Sequence, residues 1–389
     1  MNTYLLSLIV FWIGVAGVFY IYIGYPLLVW LVRLLRPRPW RREDFEPPVS
    51  IVIAARNEEK DIESKLKNTL AIDYPTGKLE IIVVSDFSSD KTDNIVESFA
   101  DKGVTLIRPE QRLGKTAAQN LGVSVSTGEI ILFSDATTNY QADVLRRIIP
   151  NFADESIGCV GGKLDYHDPH ETTVGRGASN YWSYETNLKV NESLAGSLIG
   201  VSGCLYAVRR SAYKPMYPEA CSDFLIATVM RRQGLRTVFE PSAVCDEETN
   251  VTANQEFAMR TRIAAQTLSD LWRNVDMMNP SKSGFFAISL VSHKLLRYLT
   301  VVFFLLIFLA SIVLASGSLF FLVILIMQAL FWITGFLALI AFWRSSRRSV
   351  LTYPAYFVLI TLASVAGLAK FLFGEKYEKW EPIRNNPDK

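Results

Sequence analysis

Four near-continuous apolar runs, one at the start of the chain and three at the end, flank a middle in which apolar and polar positions alternate on a shorter scale. Residues 4–35 carry no charge before Arg33. That is enough to cross a hydrocarbon core, too long for the apolar centre of a cleaved leader, and lacks a small-residue cleavage site. The run closes in Arg33, Arg36, Arg38, Arg41 and Arg42, and a basic cluster at the end of a span marks the cytoplasmic side. The pattern predicts a retained N-terminal helix that starts outside and delivers the polar middle of the chain to the inside. Gly24-Tyr25-Pro26 lies within this run and predicts a kink or an early end. Runs at 299–315, 319–343 and 353–373 are each near the length of a span, and the basic connector 344–348 belongs on the cytoplasmic side. Residues 285–298 mix aromatics with His293, Lys294 and Arg297, the composition of an amphipathic helix lying in the interface. Counting crossings puts the C-terminal tail outside, whereas its Lys376, Lys379, Arg384 and Lys389 favour the inside. One re-entrant run would reconcile the two. Ionisable residues are nearly absent from the centres of the spans, which weighs against an ion transporter or channel and leaves open a channel for a neutral polymer.

Between residues 47 and 273 the period shortens to strands alternating with amphipathic helices, which predicts an α/β domain with a mostly parallel sheet covered by helices on both faces. Residues 49–55 read as a strand. Asn57 then caps a helix with Glu58 and Glu59 in its first turn and Ile62, Leu66 and Leu70 four apart. Residues 80–84 form the next strand, succeeded by Ser85-Asp86 and a helix opening near Asp90. A strand at 104–107, a helix at 115–124 and a strand at 129–133 ending in Ser134-Asp135 complete the series. Ligands of open α/β sheets gather at the carboxyl ends of strands, where Asp86 and Asp135 both stand.

Composition narrows this reading. Half of the 389 residues are apolar and mean hydropathy is +0.20, as expected for one sizeable domain plus membrane segments. A net charge of +2 gives no reason to expect a nucleic-acid partner. Cys159, Cys204, Cys221 and Cys245 form no CxxC pair, so a zinc ribbon or redox motif is excluded and reduced thiols in a cytosolic compartment fit best. His167-Asp168-Pro169-His170 lacks helical spacing and reads as a loop rather than a metal site. Leu113-Gly114-Lys115-Thr116 ends like a phosphate-binding loop, but Pro109 stands where its first glycine must be. No GxGxxG comes after the first strand either. The expected division is a helix at 1–35, a basic linker at 36–46, the α/β domain at 47–273, an interfacial segment at 274–298, three spans at 299–373 and a polar tail at 374–389.

Several motifs then succeed one another along the chain. They are Ile53-Ala54-Ala55-Arg56-Asn57-Glu58, Asp86-Phe87-Ser88-Ser89-Asp90-Lys91-Thr92, Gly114-Lys115 through Asn120 to Gly122, Asp135-Ala136-Thr137, Cys221-Ser222-Asp223, and Glu256 to Ile263. Together they resemble the family 2 glycosyltransferases, the inverting GT-A class that includes cellulose, chitin and hyaluronan synthases and many lipid-directed sugar transferases. The resemblance implies that Ala54, Arg56, Glu58, Asp86, Lys115 and Asn120 bind the nucleotide. It makes Asp135 the ligand of a divalent cation, Mg or Mn, held against the diphosphate, and Arg262 a second diphosphate contact. Asp223 becomes the general base that an inverting transfer needs; it also opens a helix, so capping alone would explain it. Two departures stand out. Thr137 replaces the second acid of D-x-D, and Met259 and Ile263 replace the Gln and Trp of Q-x-x-R-W, which weighs against processive synthesis. Trp182, Glu185, Gly203, Ser222 and Arg260 are expected at the acceptor cleft, since aromatic faces suit sugar rings. Core packing of the aromatics beside them stays open.

The expected function is inverting transfer from a UDP-sugar to a lipid-linked or glycan acceptor, in cell-surface polysaccharide assembly. The chain would be an integral protein of a bacterial inner (plasma) membrane with its catalytic domain in the cytoplasm, in contact with membrane lipids and an export or assembly partner. Few helices and the missing Trp favour the lipid-linked acceptor. A processive synthase that extrudes its polymer is the first alternative, and a non-catalytic nucleotide-binding membrane module the second.

Overall fold

The computed structural model describes residues 3–167, 173–248, 252–344 and 351–379, and the side chains of all of these except 166–183 and 342–344. Helices α1 (Thr3–Phe19) and α2 (Tyr25–Leu35) form one continuous apolar rod. Pro26 lacks an N–H and its ring crowds the carbonyl four residues back, so the rod widens into a π turn over Tyr20–Gly24, closed by Tyr25 N–H on the Tyr20 carbonyl. The expected disturbance at Gly24-Tyr25-Pro26 is therefore a register change, and the helix does not end there.

The α/β domain is built on one eight-stranded sheet: β1 (Val49–Ala55), β2 (Leu79–Ser85), β3 (Val104–Ile107), β4 (Ile130–Asp135), β5 (Asn139–Tyr140), β6 (Ile157–His167), β7 (Leu205–Arg209) and β8 (Arg236–Glu248). Their spatial order is β3-β2-β1-β4-β7-β6-β8-β5. The half made by β3, β2, β1 and β4 is wholly parallel, and β6 with β8 adds a fourth parallel pairing against three antiparallel ones. Every residue of β1 is buried because alternate side chains enter different layers: Val49, Ile51 and Ile53 pack with Ile62 and Leu66, while Val52 and Ala54 face the opposite side. Helices α3 (Ile62–Leu70), α4 (Thr92–Glu97), α5 (Lys115–Val125) and α6 (Val144–Ile148) cover the sheet. Asn57 does not cap α3, which begins five residues later. It sits at φ 51° and exchanges hydrogen bonds with Ser88 and Ser89 in the loop after β2. A short polar side chain that tolerates the left-handed region serves a loop as readily as a helix cap.

Beyond the sheet lie α7 (Thr173–Ala195), α8 (Ser222–Arg232), α9 (Ala253–Arg273), the short α10 (Pro280–Ser283), α11 (Phe285–Ser289) and α12 (Leu296–Tyr298), then α13 (Thr300–Leu314), α14 (Leu319–Arg344) and α15 (Thr352–Leu372). A capping box of Thr252 and Gln255 starts α9. Among the described residues three stretches are long and apolar enough to cross a membrane, Thr3–Leu35, Leu319–Ala341 and Thr352–Leu372, or four if the bent pair at 285–314 counts as one span. The remaining C-terminal run, at 299–315, is shorter than expected. Its 15-residue α13 meets the Phe285–Tyr298 segment at a 57° bend, so that segment and α13 form one bent unit. Gly14 and Gly17 let α13 approach α1 closely, since a Cβ at 17 would lie 2.3 Å from the Phe303 ring.

Among the described residues the tail lies against the α/β domain. Helix α15 runs along α9: a Cβ at Gly367 would meet the Thr261 carbonyl at 2.8 Å, and Leu368 and Phe371 join the cluster of Leu268 and Phe224. The chain then returns to the domain, where the Tyr377 carbonyl accepts from Gln266 Nε2 at 3.3 Å and Lys376 lies 3.7 Å from Glu219.

Gly367→Val forces these two helices apart. Overpacking of that kind costs about 1–3 kcal/mol, so the melting temperature in detergent should fall by several degrees; an unchanged value would mean that α15 is not seated on α9.

Candidate functional site

Parallel pairing sets Ala54 level with both Val84 and Asp135, so the loops after β1, β2 and β4 open at one edge of the sheet. Buried Asp86 takes the N–H of Leu113 at 2.6 Å on one oxygen and that of Gly114 at 3.0 Å on the other. Arg56 donates to the carbonyls of Asp86 and Phe87, both at 2.8 Å. Glu58 is buried beside them, its N–H on Thr92 Oγ1 at 2.8 Å. These contacts fix the turn that opens α5. Gly114 stands there at φ 89°, and a Cβ would lie 1.8 Å from the Glu378 carbonyl oxygen of the returning tail.

The first residue of α5 reaches the centre of the site. Lys115 Nζ lies 2.5 Å from Asp135 Oδ1 at the end of β4. Burial alone would pull its pKa down, but the Asp135 carboxylate, with Asp223 behind it, lifts it above the ordinary lysine value. Asp223 comes from the first turn of α8. Its Oδ1 accepts from Cys221 Sγ at 3.0 Å, while a Cβ at Gly203 would lie 3.2 Å from its Oδ2 and 3.4 Å from Lys115 Nζ. A side chain there would crowd both groups, so the glycine keeps that oxygen open toward the lysine. Arg262 of α9 completes the group. Burial lowers its pKa, and the charges of Cys221, Asp223 and Asp135 act on it in opposition. Its Nε is buried without a hydrogen-bond partner among the described residues. An orphaned guanidinium N–H beside two carboxylates and a lysine is a donor held ready for an anion.

The remaining expected residues have other surroundings. The Asn120 amide is engaged by Met216 and Tyr213, where it ties α5 to the segment before α8. Glu185 faces the 290–298 segment, with one oxygen 2.8 Å from His293 Nε2 and the other 2.8 Å from Arg297. Arg260 bonds Glu256 and Tyr356 and so joins α9 to α15. Ser222 is buried next to Asp223 at the start of α8. The side chain of Trp182 and the residues Asp168 to His170 lie outside the described part. Thr137 Oγ1 is 3.4 Å from Glu247, and no group of three or more His, Cys, Asp or Glu that could hold a metal occurs among the described residues. A cation here would take one carboxylate, Asp135, and complete its shell from phosphate and water.

One residue escaped the sequence reading. Lys65 is buried under the loop after β4, donates to the Thr138 carbonyl at 2.8 Å, and sits 3.6 Å over the Tyr140 ring. Burial brings its pKa down to about 7. The available signal was its place three residues after Ile62, on the apolar face of α3.

The meeting of tail and turn can be tested. Gly114→Ala combines backbone strain of about 1–2 kcal/mol with a collision at Glu378, so the tail should lift and trypsin should cut faster after Lys376. Equal cleavage rates would remove the contact.

Residues 50–216 match the model of glycosyl transferase family 2. A beta-monoglucosyldiacylglycerol synthase of Trichormus variabilis is 32% identical over 183 residues, 46% of this chain and 39% of that protein. A poly-beta-1,6-N-acetyl-D-glucosamine synthase of Staphylococcus aureus is 26% identical over 203 residues, 51% of this chain and 49% of that protein. The matched stretches thus span half or less of these curated relatives. The mannosyltransferase PcManGT of Pyrobaculum calidifontis, solved with GDP-Man and Mn2+, superposes with a TM-score of 0.73 over 94% of this chain and 99% of that one. At 23% identity this is a likeness of fold. Motif order, sheet and matched family agree, and the chain carries a glycosyl transferase family 2 domain in a GT-A-like fold.

Proposed function

We propose that the chain transfers a sugar from a UDP-sugar, with inversion, to a hydroxyl of a lipid-linked acceptor at the cytoplasmic face of a bacterial inner membrane, in cell-surface polysaccharide assembly. One observation carries the reading: Lys115, Asp135, Asp223 and Arg262, from four different elements, converge on one place. Lys115 and Arg262 bind the diphosphate. Asp135 would hold a divalent cation, which when bound would neutralise charge on the departing nucleoside diphosphate. Asp86 and Arg56 shape the turn against which the nucleobase rests. Asp223 accepts the proton of the acceptor hydroxyl as that oxygen attacks the anomeric carbon from the side opposite the leaving group. Because Oδ1 is taken by Cys221, the proton goes to Oδ2, the oxygen over Gly203. A lipid-linked acceptor is supported by the likeness to a glucosyldiacylglycerol synthase and by Ile263 where a polymer-stacking Trp would stand.

Purified enzyme is tested with UDP-glucose, UDP-galactose, UDP-N-acetylglucosamine and GDP-mannose, with Mn2+ or Mg2+ and a bacterial lipid extract. The expected result is cation-dependent release of UDP and a lipid bearing one added sugar. A long glycan made from the nucleotide sugar alone would overturn the lipid acceptor, and release of GDP only would overturn the UDP donor.

Asp223→Asn should lower kcat by roughly 10²- to 10⁴-fold while UDP still binds. Asp135→Asn should raise the Mn2+ concentration needed for half-maximal rate. Full turnover by Asp223→Asn would remove the base from its assigned role.

A further inference from the structure

The last turns of α9 grip the segment that leads into α8. Asp270 is 1% exposed, and its Oδ2 accepts the backbone N–H of Cys221 at 2.9 Å. Its Oδ1 takes the hydroxyl of Tyr217. Three residues on, Arg273 lies 4.3 Å over the Tyr217 ring and 2.6 Å from Glu219. Tyr217, Glu219 and Cys221 are thus held by two residues of one helix.

Cys221 is the N-cap residue immediately before α8. Its carbonyl accepts from Phe224 at 3.0 Å and Leu225 at 2.8 Å, and its thiol donates to Asp223 Oδ1 at 3.0 Å. Fixing the Cys221 amide therefore fixes the first helical turn, and with it the direction of Asp223 Oδ2. The carboxylate that does so is in a costly place. Burial pushes Asp270 up to about 7 against the two hydrogen bonds that favour its charge, and the nearby Asp223 adds to the rise. A buried acid beside another acid gives geometry that a neutral acceptor cannot match, because both of its oxygens accept strong hydrogen bonds.

We propose that Asp270, with Tyr217 on its second oxygen, is a positioning residue that aims Asp223 at the acceptor through the Cys221 amide. The proposal rests on Asp223 as general base. It also gives α9 a second task beyond Arg262. Since α15 is seated along α9, the aim of the base is referenced to a helix apolar enough to lie in the membrane that presents the acceptor.

The test is a double-mutant cycle of Asp270→Asn and Asp223→Asn in the full-length protein. UDP release is measured with UDP-glucose, or whichever nucleotide sugar of the panel turns over fastest, together with the lipid extract; UDP binding is followed by calorimetry. Asp270→Asn is expected to lower kcat by about 10- to 100-fold, the effect of a small misplacement of a catalytic group. Donor KM and UDP affinity should stay within about 2-fold of wild type, since the nucleotide pocket is untouched. Tyr217→Phe, which keeps the amide bond and loses one hydroxyl, should show a smaller loss of the same kind. In the Asp223→Asn background, Asp270→Asn should add no further loss, because it acts only through the missing base. Wild-type kcat in Asp270→Asn, losses that multiply in the double variant, or a fall in kcat that merely tracks lost UDP binding and a lower melting temperature would each overturn the proposal. A fully active Asp223→Asn is a different failure. It would show the base itself to be misassigned, whereas an inactive Asp223→Asn beside an active Asp270→Asn would refute only the positioning role.

Discussion

Two carboxylates and two cations brought together at one edge of a sheet are the constraint on which the rest of this molecule depends. Asp135 and Asp223 repel one another in a half-buried place, and the arrangement holds because Lys115 stands between them and Arg262 lies alongside. Charges in such surroundings interact far more strongly than in water, so each must be delivered accurately or the cluster destabilises the fold. The delivery explains the architecture. Register between β1 and β4 sets the height of Asp135, the Asp86 clamp on residues 113–114 sets the start of α5 and so Lys115, and the N-terminus of α8 presents Asp223. In the proposed reaction the same pair of cations would meet the incoming diphosphate.

The N-terminal rod, α7 and the segment before α13 are joined by polar contacts as well as by apolar packing. Tyr25 of α2 and Glu192 of α7 share a hydrogen bond, His293 bridges Glu192 and Glu185 at 2.8 Å each, and Arg297 takes the remaining oxygen of Glu185. Each of these contacts links different elements, so the N-terminal rod, α7 and the bent segment before α13 are tied together by buried hydrogen bonds. On the other side, α9 connects Arg262 at the site, Arg260 on Tyr356 of α15, and the clamp of Asp270 on Cys221. The proposed transfer to a membrane-bound hydroxyl would use such a connection, because acceptor and base must meet in a defined geometry.

Much of the candidate site's placement was legible in residue order. Asp86 just after β2, Asp135 at the end of β4, the glycine and lysine that open α5, and the acid in the first turn of α8 are local features: a backbone period, a turn and a helix start that depend on neighbours in the chain. For the same reason the start of α3 was misread. Asn57 has a helix-capping side chain, but its partners are Ser88 and Ser89, thirty residues away, and only the packing of two loops brings them within reach. Glu185 and Asn120 differ from their expected surroundings in the same manner, since a carboxylate or an amide bonds to whatever the fold sets beside it.

The sequence by itself determined the alternation of strand and helix, the apolar runs, and the set of acids and bases at strand and helix ends, because hydrophobic period and turn chemistry are written in consecutive residues. Tertiary structure alone decided that Gly203 leaves an oxygen of Asp223 open, that α15 leans on α9 and returns the tail to Gly114, and that Asp270 holds the Cys221 amide. These are contacts between segments tens to hundreds of residues apart. Their existence depends on how closely two surfaces approach, and no single stretch of chain encodes that distance.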